Sequence, residues 1–134
     1  MRVWSISMAC CLTAVLAIAQ VSEAQSALTK RATQGAVTID VTLVSPVPGD
    51  QVRAKVVLDT HSESLDGIKF EDAVVLRQPD GREATGKVEQ SSGSGHHREV
   101  VLVFPPARDR VVQIVVKGVG GSGERSFSWE LPAR

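Results

Sequence analysis

Apolar and polar residues alternate along most of the chain with a period of two, and no window carries a convincing 3.6-residue apolar stripe. In Ala36–Val44 the residues Val37, Ile39, Val41 and Leu43 share one face, with Thr38, Asp40 and Thr42 opposite. Gln51–Thr60 repeats the pattern: Val52, Ala54, Val56 and Leu58 point one way, and Arg53, Lys55 and Asp59 the other. Ala73–Arg77 and the weaker Glu83–Glu89 flank Gln78-Pro79-Asp80-Gly81, where Pro and Gly each suit turn dihedrals. Glu99–Phe104 is stopped by Pro105-Pro106. Arg110–Lys117 holds a continuous apolar run typical of a central strand, and Arg125–Leu131 alternates Phe127, Trp129 and Leu131 with Ser126, Ser128 and Glu130. The intervening segments carry turn and loop signals. They are the Pro/Gly cluster 45–50, the polar, acidic His61–Asp72 with room for one short helical turn, the Ser/Gly-rich Gln90–Gly95, and Gly118–Glu124. Seven short strands so separated predict an all-β fold, a single immunoglobulin-like antiparallel sandwich over residues 36–132.

The front of the chain breaks this pattern. Arg2 gives a short positive start, the apolar stretch is strongest from Cys11 to Ala19, and Ser22-Glu23-Ala24 places small residues where a signal peptidase needs them. Ala17-Ile18-Ala19 is a second cleavage candidate. The run falls short of the roughly 20 apolar residues a membrane span requires. Cys10 precedes the main apolar run, so the order needed for lipidation is absent. Residues 1–24 therefore read as a secretory signal peptide, residues 25–35 as a flexible polar segment, and the protein as exported, periplasmic or secreted, with no transmembrane segment after cleavage.

Cleavage changes what the composition allows. The chain has 134 residues with 15 basic and 15 acidic side chains. Loss of Arg2 and Glu23 leaves a neutral domain of 110 residues with 14 of each. This balance gives no electrostatic case for binding nucleic acid. Both Cys and both Met are lost with the leader, and the remainder has no Tyr. A disulfide scaffold, a thiol nucleophile and a Cys-ligated metal are thereby excluded. The 18 Val of the remainder suit a pleated, half-buried surface.

Two glycine motifs fail on context. Gly118-Val119-Gly120-Gly121-Ser122-Gly123 matches G-x-G-x-x-G, but a dinucleotide site needs a helix next, and a strand is predicted there. Gly81 to Lys87 matches G-x-x-x-x-G-K, but Val88 stands where Ser or Thr would hold magnesium. No G-x-S-x-G elbow is present.

One constellation survives. If each connection reverses direction, the end of Gln51–Thr60, the Gln90–Gly95 loop and the Gly118–Glu124 turn all fall at one end of the sandwich. That places His61, His96 and His97 together, the only three His of the chain. Asp59 shares a strand face with His61, and Glu63, Asp66, Glu71 and Asp72 lie in the adjoining loop. Imidazole with carboxylate suits Zn(II), Cu(II) or Ni(II), so the candidate metal ligands are His61, His96, His97 and Asp59. The plain alternative is that these are solvated loop residues and a polar strand end. A His base with a carboxylate partner would use the same groups, but no nucleophile is marked.

Asp59-Thr60-His61-Ser62, Gly95-His96-His97-Arg98, and Gly118-Val119-Gly120 through Glu124-Arg125-Ser126-Phe127-Ser128-Trp129-Glu130-Leu131 together resemble a group of small exported prokaryotic β-sandwich proteins with DTHS, GHHR and ERxFxWEL-like segments. The resemblance runs from about Ala36 to Leu131. That group has no established activity and carries no catalytic role to this chain. Val100 and Val101 depart from the smaller residue its pattern has after GHHR-x. The sequence thus leads to an exported, non-enzymatic binding domain that takes a divalent transition metal through His and Asp at one loop end. The alternative is a protein-interaction or envelope-assembly module without metal, recognising an unidentified protein partner. A hydrolase-type enzyme ranks third.

Overall fold

The computed structural model describes residues 28–121 and 123–132. The leader expectation, residues 1–24, lies outside them. Nine strands and one short helix follow in order: β1 (Thr29–Gln34), β2 (Val37–Leu43), β3 (Gln51–Thr60), α1 (Phe70–Ala73), β4 (Val74–Arg77), β5 (Glu83–Thr85), β6 (Lys87–Ser94), β7 (His97–Pro106), β8 (Val111–Lys117) and β9 (Glu124–Glu130). They form two antiparallel sheets, one of five strands in the order β1-β2-β3-β7-β6 and one of four in the order β5-β4-β8-β9.

The period-two pattern accounts for the layering. Val37, Ile39, Val41 and Leu43 of β2 and Ala54, Val56 and Leu58 of β3 are almost wholly buried. They meet Leu76 of β4, Ile114 and Val116 of β8, and Phe127 and Trp129 of β9 in one shared core. Burying such side chains is worth about 1.5–3 kcal/mol each. No Cys occurs among the described residues, so this core holds the sheets together without a disulfide.

Four expectations change. Residues 25–35, expected as a flexible segment, contain β1, which pairs with β2 along its whole length. Ala32 and Gln34 are the inward positions of β1 that gain cover, too few to produce an apolar stripe. The single weak strand expected over Glu83–Glu89 is two strands. The chain leaves the four-stranded sheet at β5, passes the buried Gly86, and joins the five-stranded sheet as β6. The Ser/Gly loop expected at Gln90–Gly95 is largely the second half of β6, where ladder bonds to β7 replace side-chain burial. Strand β7 also runs two residues past Phe104. Its ladder with β6 ends at Val103, so Pro105 and Pro106 lie where no β6 partner needs an N–H. No helix among the described residues is long and apolar enough to cross a membrane.

A candidate binding end built around two histidines

Strands β3, β6 and β7 bring the candidate residues to one end. Asp59 pairs with His97 across β3 and β7, and His97 pairs with Ser94 across β7 and β6. A two-residue turn, Gly95-His96, joins β6 to β7. Gly95 stands at its first central position with φ +67°, as a type II′ hairpin requires. The turn therefore holds His96 at the tip and returns His97 to the ladder.

The segment between β3 and α1 docks onto this hairpin. Thr60 N–H donates to the His96 carbonyl at 2.9 Å, and Leu65 N–H donates to the Gly95 carbonyl at 2.8 Å. Gly95 N–H in turn donates to Asp66 Oδ1 at 2.8 Å. Leu65, only 1% exposed, and Phe70, 3% exposed, anchor the segment in the core. Arg98 clamps it from the other side. Its Nη1 donates to the Leu65 carbonyl at 2.9 Å, and its guanidinium lies 4.8 Å from the centre of the Phe70 ring.

The imidazoles are fixed by this scaffold. His96 Nδ1 lies 2.7 Å from the Glu63 carbonyl oxygen. A carbonyl oxygen only accepts, so Nδ1 carries a proton, and in the neutral ring Nε2 is the acceptor. His97 Nδ1 lies 2.5 Å from Asp59 Oδ1, and donation to this carboxylate oxygen gives the neutral ring the same tautomer. Both rings are exposed. Each therefore offers Nε2 for an outside ligand while its other nitrogen is tied to the protein. Ligating imidazoles are commonly held this way by a carboxylate or a carbonyl.

The four predicted metal ligands do not form one cluster. Asp59 is spent on His97, His96 is tied to the loop through Glu63, and His61 stands exposed on the bend after β3. Among the described residues no three His, Cys, Asp or Glu side chains group as a metal cage. The donors are two imidazoles, short of the four-coordinate shell of a structural zinc site. Sequence reasoning missed the Glu63 carbonyl, the Leu65 and Phe70 anchors and the Arg98 clamp. The signal was available: Leu65, Ile68 and Phe70 interrupt an otherwise polar loop.

Among the described residues, shallow cavities of about 390, 350 and 240 Å3 are each lined without a His. Gly118–Gly123 is followed by strand β9 rather than a helix, which removes the phosphate-binding reading of its glycines. Comparison with known proteins gives no match: no family model, curated protein or solved structure is similar to the chain.

Proposed function

We propose that this is an exported, non-enzymatic binding domain of immunoglobulin-like architecture. Its recognition end is the β6–β7 hairpin with the loop docked on it. The order β2-β3-β7-β6 facing β5-β4-β8-β9 supports the architectural reading, because constant-type immunoglobulin sandwiches set four strands against three with a similar sequence of neighbours. Here β1 is an added edge strand. Export rests on the leader-like first 24 residues and on the resemblance of the DTHS, GHHR and ERxFxWEL-like segments.

The sharpest form of the proposal is a divalent transition metal ion, Zn(II) or Cu(II), taken at Nε2 of His96 and His97. The observation that carries it is the shared tautomer: both Nδ1 atoms donate inward, so both Nε2 atoms are open acceptors. Asp59 orients His97 and is not itself a ligand in this reading. Two protein donors leave positions for water or for a partner's side chain, so the domain binds metal reversibly and does not depend on it to fold. The second reading, protein recognition without metal, uses the same rigid end. Titration of the protein with Zn(II) and Cu(II) by calorimetry separates the two. Stoichiometric binding that is lost in the His96→Ala/His97→Ala double variant supports the metal. Equal heats from the wild type and the double variant discard it.

A further inference from the structure

The chain has two Asp-Gly pairs, Asp66-Gly67 and Asp80-Gly81, and the fold treats them differently. Both sit exposed in turns. A glycine after an aspartate adds no side chain to hinder attack of its nitrogen on the aspartate Cγ. Such pairs are therefore where a protein chain isomerises without an enzyme. The attack needs a free Gly nitrogen and a carboxyl that can lose a hydroxyl, and each turn decides both.

In the Gln78–Gly81 turn the Gly81 N–H is itself the closing bond, donating to the Gln78 carbonyl at 2.9 Å. The Asp80 carboxylate accepts the Arg82 backbone N–H at 3.0 Å and pairs with the Arg82 guanidinium at 2.8 Å. These contacts hold it below its ordinary 3.8, in the ionised form that cannot lose a hydroxyl. Asp66-Gly67 sits one position earlier in its turn. Ile68 N–H makes the closing bond to the Leu65 carbonyl at 3.2 Å, and the Gly67 N–H has no partner among the described residues. A Cβ at Gly67 would meet nothing within 4 Å, so the approach to its nitrogen is open. The Asp66 carboxyl is held by neutral groups: the Gly95 N–H donates to Oδ1 at 2.8 Å, and the Ser64 hydroxyl to Oδ2 at 3.4 Å.

We infer that Asp66 is a site of spontaneous isomerisation to isoaspartate, and that the change unclamps the β6–β7 hairpin from the loop docked on it. The Gly67 nitrogen attacks Asp66 Cγ. The N–Cγ bond forms, the Cγ–OH bond breaks, and the hydroxyl leaves with the amide proton as water, giving a succinimide. Water then adds to the main-chain carbonyl carbon of Asp66, and the bond from that carbon to the Gly67 nitrogen breaks. No oxidant or reductant is needed. The main chain now runs through Cβ and Cγ, one atom longer, and the free carboxylate sits directly on Cα. The added atom falls between Leu65 and Phe70, the two buried anchors, and the carboxylate that receives the Gly95 N–H is displaced. The bond to Gly95 is lost, and the loop that holds His96 through the Glu63 carbonyl loosens. None of this depends on whether the end takes a metal.

The test is incubation of the metal-free protein at neutral pH, followed by digestion and electron-based fragmentation mass spectrometry, which separates isoaspartate from aspartate. Isoaspartate should build up faster at Asp66 than at Asp80, and unfolding in urea should close most of that gap. Gly67→Ala should fold as the wild type does, because Gly67 is not in the left-handed region and its Cβ position is empty, and should lose the product at Asp66. In the isomerised fraction the Gly95 amide should exchange at least about tenfold faster, with the core amide of Val56 unchanged. No isoaspartate at Asp66, or as much at Asp80 in the folded protein, would overturn the inference. So would a gap that survives in urea, product at Asp66 that persists in Gly67→Ala, or an unchanged Gly95 amide.

Discussion

His97 and Asp59 face each other across the β3–β7 ladder, with imidazole Nδ1 2.5 Å from the carboxylate Oδ1. The contact fixes which ring nitrogen is presented to solvent. Asp59→Ala should release Nδ1 and weaken Zn(II) or Cu(II) binding by about 10–100-fold, the usual cost of losing an orienting partner. The pair is about half exposed, so the melting temperature should hardly move. Calorimetric titration and a thermal melt of the same variant check both halves.

Leu65 holds the loop that holds His96. Its buried side chain should make Leu65→Ala cost about 2–4 kcal/mol in denaturant unfolding. Faster amide exchange should appear at Leu65 and Gly95, because both bonds link this loop to the hairpin. Unchanged exchange there would mean that the loop is held by something other than its apolar anchors.

On the outer face of the four-stranded sheet, Val75 and Val115 are 5% and 0% exposed although both lie outside the shared core. Charged side chains roof them. Arg77 bonds both oxygens of Glu124 and also Glu83, and Lys117 reaches Glu83 from the opposite row. Lys117, then Arg77, pull the Glu83 carboxyl below its ordinary 4.5, and Arg77 does the same to Glu124. A carboxyl depressed in the folded state stabilises it above the ordinary value and loses that contribution as pH falls through the lower, folded one. Melting temperature should therefore drop as pH goes below about 4.5. Arg77→Gln should shrink that drop, with a remainder from Glu83, which Lys117 still depresses, and from Asp80, which Arg82 depresses. Melts of both proteins across that range decide it.

Gly120 is fixed by contact as well as by dihedral. Its φ is +72°, and a Cβ there would lie 2.0 Å from the Gln34 carbonyl oxygen on β1. Gly120→Ala should cost at least about 2 kcal/mol, because strained backbone and a backbone clash add. Chemical denaturation measures it. The conformational role of this glycine is what remains of its G-x-G-x-x-G pattern.

The strands that bury one full face were legible in the chain. Alternation placed β2, β3, β4, β8 and β9 to within about a residue. β1 was not, because an edge strand inward through Lys30, Ala32 and Gln34 writes no apolar stripe. β6 was hidden for a related reason: Gln90, Ser91, Ser92 and Ser94 are exposed, and the strand exists through its ladder to β7. At the site, strand direction brought His61, His96 and His97 to one end, since direction follows from turn count, and period two added Asp59 beside His61. The roles inside the site depend on a backbone carbonyl, that of Glu63, which carries no side-chain signature.

The central claim is that both imidazoles present Nε2 outward. Long-range nitrogen–proton NMR of the histidine rings, recorded on the metal-free protein at neutral to slightly alkaline pH, tests it most directly. His96 and His97 should each show a protonated Nδ1 and an unprotonated Nε2, and Zn(II) should shift the Nε2 resonances of both while leaving His61 in its free pattern. A protonated Nε2 on either His96 or His97 in the metal-free protein would contradict the account.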